Sequence, residues 1–402
     1  MRICIIGGGI IGLFNAYYLL EQGHQITIVD QGDFTQGASI GNAGMICPSH
    51  FTPLAAPGVI RQSLKWMLDD TSPFYVKPRL DAAWIRWCLQ FFKSSNQQNV
   101  DDNMGMLSAL LKYSQQLYVE LQGKDLQMDL KRAGIIMVCN TDHTLQEEID
   151  LAKKAKLIGI NTTLLNKEEI RTINPGVQIK AVGGVHYVDD MHLTPIVLFN
   201  SLKSHLTSKG VTWIPNTKII DFGIVRNRIK VAKAREQEIE ADAFIHCGGA
   251  WSNQLSRRLK WPVWIEGGKG YNITIPKASP QLSTPMILVE GRVAVTPMGT
   301  DLRLGGTMEI AGLDDTVKTS RIKGILSTIE SYLPDYPLAE TQKIAPWFGY
   351  RPLSSDGMPV IEKIASLENA FINTGHGMLG LSLAPASGKI MSEIISSSTQ
   401  SA

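Results

Sequence analysis

The 402-residue sequence has few cysteines and little net charge. Its five cysteines lie far apart and never form a Cys-x-x-Cys pair, so the sequence predicts neither a disulfide framework nor a metal site. This cysteine usage is typical of a reducing, cytoplasmic compartment. A formal charge of +2 without a basic tract predicts no nucleic-acid partner.

The sequence also lacks a convincing signal peptide or membrane span. The apolar stretch 3–20 contains four glycines and no small-residue cleavage site, so a glycine-rich fold explains it better. A hydrophobic content of 44% and a charged content of 19% are ordinary for a globular enzyme, and the length allows two domains.

The N-terminal residues follow the order strand, glycine turn, helix, strand, acid. In the turn Gly7-Gly8-Gly9-Ile10-Ile11-Gly12, Gly7 allows a tight bend, Gly9 lets the backbone approach a pyrophosphate, and Gly12 lets the helix pack closely. Asp30 ends the second strand, where its carboxylate can accept hydrogen bonds from ribose hydroxyls. This unit predicts a dinucleotide with an unphosphorylated ribose, such as FAD or NAD.

Two later segments repeat the junction of a strand with glycines at a helix start. One strand, over 243–247, ends in Gly248 and Gly249 with Trp251 following, and another, over 371–374, ends in Gly375-His376-Gly377. The sequence therefore predicts an α/β fold. A Rossmann-type cofactor domain comprises 1–75, 191–255 and 340–402, and an interleaved mixed-sheet α+β substrate domain comprises 76–190 and 256–339.

Other segments carry weaker signals. Residues 45–58 include three prolines and predict irregular structure, whereas 104–121 and 144–157 predict helices. Between 61 and 93, aromatic residues alternate with cations such as Arg61 and Arg86 in stretches that predict amphipathic helices. Either this region contacts a membrane surface and its electron acceptor, or its aromatic faces pack on the rest of the protein.

Six further motifs follow the N-terminal unit in order: Gly41-Asn42-Ala43-Gly44, Ala55-Ala56-Pro57-Gly58, Lys269-Gly270-Tyr271, Gly305-Gly306-Thr307-Met308-Glu309, Tyr350-Arg351-Pro352 with Asp356-Gly357, and Thr374-Gly375-His376-Gly377 with Leu379-Gly380. In these motifs the sequence resembles, from end to end, the D-amino acid oxidase-like superfamily of FAD-dependent oxidoreductases, especially the bacterial D-amino acid dehydrogenases. Segment 48–54 resembles a subgroup that oxidises D-hydroxyproline.

The resemblance implies non-covalently bound FAD, since no cysteine lies near Arg351 in the sequence. The glycine turn would hold the pyrophosphate, the loop around Asn42 would cover the isoalloxazine, and a helix start near Gly377 would face the pyrimidine edge. The predicted cofactor contacts are Gly7, Gly9, Ile10, Ile11, Gly12, Asp30, Gln31, Asn42, Ala43, Gly44, Gly248, Gly249, Trp251, Gly375, His376, Gly377, Met378 and Leu379.

The resemblance also implies a substrate site. Arg351 matches the arginine that binds the substrate carboxylate, a role that suits its planar fork of donors. Tyr271 and Tyr350 are candidates for the pocket wall, although either could belong to the core. His50 departs from the D-alanine-type pattern and could contact a substrate hydroxyl or amine, or only the loop backbone. His376 is expected to be structural or adjacent to the flavin.

The implied reaction is FAD-dependent dehydrogenation of a D-amino acid, or of a cyclic D-imino acid such as D-proline or cis-4-hydroxy-D-proline, by hydride transfer to flavin N5. The electron acceptor would be oxygen or a membrane quinone, the latter with peripheral membrane contact at the inner face. Two alternatives stay open: a glycine or sarcosine-type oxidase, and a non-catalytic flavin-binding subunit of an electron-transfer complex.

Overall fold

The structure is a computed structural model that describes residues 1–66, 69, 71–338, 341 and 343–400. Its first sheet consists of β1 (Arg2–Ile6), β2 (Gln25–Val29), β9 (Thr212–Ile214), β13 (Ala243–His246), β19 (Val360–Lys363) and β20 (Ala370–Thr374). The strand order is β19-β20-β13-β1-β2-β9, and every neighbouring pair is parallel except β19 with β20. β13 and β20 are fully buried, as expected of strands that are covered on both faces.

The second sheet is mixed. It consists of β4 (Phe74–Val76), β5 (Ile135–Cys139), β6 (Thr162–Leu165), β7 (Gly183–Tyr187), β14 (Ile265–Ile275), β15 (Met286–Leu288), β16 (Val293–Met298), β17 (Asp301–Ile310) and β18 (Trp347–Ser354). The order is β18-β14-β17-β16-β15-β5-β7-β6, and β4 pairs with β17. Two smaller units are the sheet β10 (Asp221–Val225), β11 (Arg228–Lys233), β12 (Glu238–Glu240) and the pair β3 (Met45–Ile46) with β8 (Met191–His192).

The α-helices are α1 (Ile10–Glu21), α2 (Val59–Trp66), α3 (Ala82–Ser94), α4 (Gln97–Leu121), α5 (Asp142–Leu157), α6 (Lys167–Ile173), α7 (Pro195–Ser208), α8 (Ser252–Arg258), α9 (Thr319–Tyr332) and α10 (Gly380–Gln400). Short 3-10 turns lie at Gly249–Trp251 and Gly377–Leu379. Helix α1 packs between α10 and α7 against the first sheet, and α9 packs against the second. No helix in these described ranges is long and apolar enough to cross a membrane.

Some local predictions are wrong at their ends. The helix predicted over 104–121 begins at Gln97, because the Asn96 side chain accepts a hydrogen bond from the backbone of Asn99 and caps it. The helix predicted over 144–157 begins at Asp142, after the Thr141 cap. Segment 45–58, predicted to be irregular, begins with the two-residue strand β3. This strand pairs with β8, and a contact so distant in sequence cannot be predicted from the local residues.

Two strands bear on the predicted domain boundaries. The boundary at residue 75 falls inside β4, which pairs with β17 of the second sheet. Strand β18 lies in the segment 340–402 that we assigned to the cofactor domain, yet it pairs along its length with β14 of the second sheet. The division into two discontinuous domains stays a prediction. Strand β18 belongs to the predicted cofactor domain by its segment and to the second sheet by its pairing.

Candidate active site

A cavity of about 1250 Å³ lies between the glycine junctions of the first sheet and one face of the second sheet. It exceeds the roughly 300–1,000 Å³ of a typical ligand pocket, so it has room for a large cofactor together with a substrate. On the second sheet, in-register residues from six neighbouring strands line it: Trp347, Asn272, Gly305, Ala294, Ile287 and Met137.

The first glycine junction brings backbone very close to backbone. A Cβ on Gly7, whose φ is +115°, would lie 2.3 Å from the carbonyl oxygen of Cys247, and a Cβ on Gly12 would lie 2.0 Å from that of Gly7. Helix α1 begins at this turn without a side-chain cap. Its N-terminal dipole and backbone N–H groups therefore suit an anion such as a pyrophosphate. Gly7, Gly9, Ile10 and Ile11 line the cavity.

Asp30 lies where β2 ends, beside Gln31 in the cavity wall. One of its carboxylate oxygens accepts a hydrogen bond from Gly8 N–H at 2.6 Å, and the other accepts from Gly32 N–H at 2.7 Å. These two bonds fix the carboxylate, while each oxygen keeps a lone pair for a further donor. The position suits the ribose hydroxyls of an adenosine.

The two later junctions meet the same cavity. Gly248, Gly249 and Trp251 line it after β13, and His376, Gly377, Met378 and Leu379 line it after β20. The His376 Nε2 atom lies 2.8 Å from Ser387 Oγ, and burial lowers the pKa of His376 to about 3. A buried histidine with so low a pKa is a weak base, which fits the structural or flavin-adjacent role predicted for it.

Three predicted cofactor residues lie behind the cavity surface: Gly12, Gly44 and Gly375 are not among the lining residues. Gly12 packs on Gly7, and Gly44 would place a Cβ 2.4 Å from the carbonyl oxygen of Leu193. Gly375 takes a φ of +79°, which favours glycine at the end of β20. These glycines shape the backbone that the neighbouring lining residues present.

The loop with Asn42 and Ala43 is fixed over the second sheet by Arg303, an arginine whose role the sequence did not decide. Arg303 Nη1 donates to the carbonyl oxygens of Ile40 at 3.0 Å and Asn42 at 2.6 Å, and its Nε donates to Thr274 Oγ1. The Asn272 side chain donates to the carbonyl oxygen of Gly41. This loop therefore forms a wall of the cavity that is anchored to β14 and β17.

Arg351 projects from β18 into the cavity. Its Nη1 donates to the carbonyl oxygen of Thr307 at 2.8 Å, and burial lowers its pKa to about 10, so it is still a cation at neutral pH. Within the described ranges no carboxylate forms an ion pair with it. A buried cation of this kind favours an anionic ligand that accepts its remaining donors.

Tyr271 and Tyr350 also line the cavity, but their hydroxyls are engaged elsewhere. Tyr271 donates to Glu309 Oε2 at 3.0 Å, and Tyr350 donates to Asp315 Oδ1 at 2.7 Å. Burial and these carboxylates raise the pKa of both phenols. The two residues therefore offer aromatic rings to the pocket, and their hydroxyls fix the ring positions.

His50 lines the cavity beside two residues that the sequence did not suggest, Ser49 and Asp190. The Ser49 side chain bridges the His50 ring and the Asp190 carboxylate. Asp190 lies 141 residues beyond Ser49, in the short connection between β7 and β8, so no local pattern could have joined them.

The arrangement fits FAD. The turn at Gly7 and Gly12 leaves no room for side chains, the start of α1 suits a pyrophosphate, and Asp30 suits a ribose. The third junction, which ends in the turn Gly377–Leu379 and α10, gives a second helix start at the same cavity. A flavin there would lie between this helix start and the second sheet.

Comparisons with known proteins agree with a site for FAD. A D-amino acid dehydrogenase of Vibrio atlanticus (strain LGP32) is 28% identical, with 99% of this chain and 96% of that protein covered, and one of Granulibacter bethesdensis is also 28% identical, with 98% and 96% covered. The solved glycine oxidase of Bacillus cereus ATCC 14579 is 20% identical, with a TM-score of 0.76 over 98% of this chain and 95% of that one. The profile described as FAD dependent oxidoreductase matches residues 2–394, and the chain therefore belongs to this family of FAD-dependent oxidoreductases.

Proposed function

We propose that the protein dehydrogenates a D-amino acid or a cyclic D-imino acid, such as D-proline or cis-4-hydroxy-D-proline. The single observation that carries this proposal is Arg351, a cavity cation without a carboxylate partner in the described part of the chain. A planar guanidinium can hold a substrate carboxylate through two parallel hydrogen bonds. The relatives named D-amino acid dehydrogenases support a substrate of D configuration.

In this proposal a flavin held at the glycine junctions would supply the acceptor for the hydride of the substrate α-carbon. Arg351 fixes the carboxylate, so that the α-carbon hydrogen is held in one orientation. The rings of Tyr271 and Tyr350 and the apolar residues Ile287 and Met137 exclude water around the substrate. A dry site also favours the neutral amine, whose lone pair assists hydride loss. The product is an imino acid, which hydrolyses or cyclises in water.

The electron acceptor is the second part of the proposal. On α3, Ile85, Leu89 and Phe92 follow one another at helical spacing and are exposed, and Leu80 just before the helix is 97% exposed. Trp84 and Trp87 are buried, so packing explains these aromatic residues and the apolar surface is formed by others. We call Leu80, Ile85, Leu89 and Phe92 the α3 face.

Lys77, Arg86 and Lys93 are exposed and lie close in sequence to the residues of the α3 face. An apolar face rimmed by cations suits the headgroup region of an anionic membrane. We propose that this face docks on such a membrane and that a quinone there is the electron acceptor. Oxygen as the acceptor is the alternative, and the rate of reoxidation in air separates the two.

The test is anaerobic bleaching of the flavin absorbance by a panel of amino acids: D-proline, cis-4-hydroxy-D-proline, D-alanine, their L-forms, glycine and sarcosine. Bleaching by D-series members only is the expected result. Preferential bleaching by glycine or sarcosine would assign the oxidase alternative instead. No bleaching by any of them would favour the non-catalytic subunit.

An Arg351→Lys variant checks the carboxylate role, because lysine keeps the charge and loses the planar fork. We expect the KM for the best substrate to rise by about tenfold or more, which corresponds to about 1.4 kcal/mol of lost binding. The flavin content should not change, since the hydrogen bond of the Arg351 side chain is to Thr307 on β17.

A further inference from the structure

A histidine, a serine and a buried carboxylate form a hydrogen-bonded chain at one end of the cavity. The Ser49 hydroxyl donates to Asp190 Oδ2 at 2.5 Å, and Ser49 N–H donates to Asp190 Oδ1 at 3.1 Å. The same hydroxyl oxygen lies 3.1 Å from Nδ1 of His50. His50 lines the cavity, whereas Ser49 and Asp190 are buried behind it.

This chain determines the tautomer of His50. A serine has one hydroxyl proton, and while Asp190 is ionised that proton is donated to the Asp190 carboxylate. The Ser49 oxygen can then only accept a hydrogen bond, so the proton of the neutral imidazole is on Nδ1. Burial and the nearby Arg292 lower the pKa of His50 to about 4, so the ring is neutral near pH 7. Its Nε2 is left as a hydrogen-bond acceptor for a ligand in the cavity.

The sheet gives the distance between this acceptor and Arg351. The Arg351 side chain contacts Gly270 of β14 and Thr307 of β17. Cys47, whose sulfur lies within 4.8 Å of a ring nitrogen of His50, belongs to a buried apolar cluster against which Ile287 of β15 packs. Strands β17 and β15 are two steps apart in the sheet, which is roughly 10 Å at the usual spacing. A carboxylate bound by Arg351 and a group three or four bonds beyond it would span this distance.

We propose that Nε2 of His50 accepts a hydrogen bond from a hydroxyl on the γ-carbon of the substrate, and that Ser49 and Asp190 position it for this. This inference rests on the proposed function. A hydroxyl fits better than other polar groups. A side-chain carboxylate has no proton to donate and is repelled by the Nε2 lone pair, and Arg292, which also lines the cavity, repels an ammonium.

A metal is the competing use of the same residues, since Cys47, His50 and Asp190 each place a ligand atom within 4.8 Å of the others. Both oxygens of Asp190 and Nδ1 of His50 already have Ser49 as a partner. Burial raises the pKa of the Cys47 thiol well above its usual range, which disfavours the thiolate that a metal needs. The hydrogen-bonded chain is therefore the better explanation.

The first test compares substrates in matched pairs by stopped-flow flavin reduction. The pairs are cis-4-hydroxy-D-proline with D-proline, and D-homoserine with D-2-aminobutyrate, so one pair is cyclic and the other is open. We expect the hydroxylated member of at least one pair to react about fivefold better or more in kcat/KM. Which pair it is tells whether the site takes a ring or an open chain.

The variants Ser49→Ala and Ser49→Thr separate positioning from folding. Alanine removes the acceptor for Nδ1–H, so the ratio within the pair should fall towards one, whereas threonine keeps the hydroxyl and should keep the ratio. Because each ratio is taken within one variant, a general loss of activity cancels. An unchanged ratio in Ser49→Ala would overturn the proposal, as would equal rates within both pairs of the unmodified enzyme.

A second measurement does not depend on turnover. With ¹⁵N-labelled histidine in the flavin-loaded protein, the His50 signal, assigned by its loss in His50→Gln, should show the proton on Nδ1 at pH 8. A proton on Nε2 would overturn the proposal, and so would a stoichiometric transition metal that His50→Gln removes.

The substrate panel has two further outcomes. If D-aspartate or D-glutamate is preferred and Arg292→Gln abolishes the preference, the cavity binds an acidic side chain and the proposal is overturned. If no D-amino acid reduces the flavin, the proposed function itself fails.

Discussion

The guanidinium of Arg351 lies directly over Gly270. A Cβ placed on Gly270 would stand 2.2 Å from Nη1 and 2.4 Å from Cζ of Arg351. Non-bonded atoms do not approach so closely, so the arginine can occupy this place only while residue 270 is glycine. Strands β14 and β18 are neighbours in the sheet. The arginine of the Tyr-Arg-Pro motif on β18 therefore explains why the Lys-Gly-Tyr motif on β14 has a glycine.

Gly270→Ala should displace the guanidinium and leave the fold intact, because the colliding atoms are the end of a flexible side chain. We expect kcat/KM for a D-amino acid to fall about 30-fold or more, equivalent to about 2 kcal/mol of a buried charge interaction. Flavin reduction kinetics measure this loss, and flavin content and the melting temperature check the fold.

Gly105→Ala is the matched control. Gly105 lies exposed within α4, and a Cβ there would meet no atom within 4 Å. Alanine in a helix interior is favoured over glycine by about 1 kcal/mol, so this variant should be as active and slightly more stable. Equal activity of Gly270→Ala and Gly105→Ala would show that the position of Arg351 does not matter for the reaction.

Gly12→Ala tests the cofactor junction in the same way, with a different outcome. A Cβ on Gly12 would lie 2.0 Å from the backbone oxygen of Gly7, and backbone cannot move aside cheaply. The turn that presents Gly7 and Gly9 to the cavity would be forced out of shape. We expect purified protein that has lost most of its flavin absorbance, while its far-ultraviolet circular dichroism still shows the mixed fold. Full flavin occupancy in this variant would contradict the assignment of the turn to the pyrophosphate.

The sequence predicted the parts of the site that depend on short-range patterns. The turn from Gly7 to Gly12 with Asp30 lies within one strand-helix-strand unit, so its geometry follows from residues close together in the chain. The anchoring of the Asn42 loop by Arg303 joins residues 261 positions apart, and no periodicity reports such a contact. For the same reason the sequence did not decide whether the aromatic residues between 61 and 93 pack on the protein or contact a membrane. Trp87 is buried by packing with residues far along the chain, among them Leu353, whose backbone accepts a hydrogen bond from its indole.

The selectivity for a hydroxylated substrate should depend on pH through Asp190. Burial raises the pKa of this carboxyl to about 7. Above that pH the carboxylate accepts a hydrogen bond from the Ser49 hydroxyl, and Nε2 of His50 is a hydrogen-bond acceptor. Below it the protonated Asp190 can donate to Ser49, which frees the Ser49 proton for Nδ1 and transfers the His50 proton to Nε2. The kcat/KM ratio of each substrate pair should therefore be high at pH 8.5 and fall as the pH drops through about 7.

This ratio isolates Asp190, because ionisation of the substrate amine affects both members of a pair in the same way. The two other titratable groups of this cluster titrate outside this range, because burial lowers the pKa of His50 to about 4 and burial raises the pKa of the Cys47 thiol well above its usual value. In Asp190→Asn we expect the pH dependence of the ratio to disappear. A ratio that is constant from pH 5.5 to 8.5 in the unmodified enzyme would rule out the reversal of the hydrogen-bonded chain.

The α3 face should bind anionic vesicles. Burying Leu89 and Phe92 in the headgroup region would stabilise the bound state by roughly 1.5–3 kcal/mol for each side chain, so Leu89→Ser combined with Phe92→Ser should weaken binding at least tenfold. Leu157→Ser is the control, since Leu157 is a still more exposed leucine, 88% accessible against 58% for Leu89, at the end of α5. Co-sedimentation with vesicles containing an acidic phospholipid measures binding, and quinone reduction by the same preparations measures its consequence.

If the double variant loses activity with quinone but keeps activity with a soluble dye, the α3 face is needed for electron transfer to the quinone. If Leu157→Ser weakens vesicle binding as much as the double variant does, α3 is not the docking site.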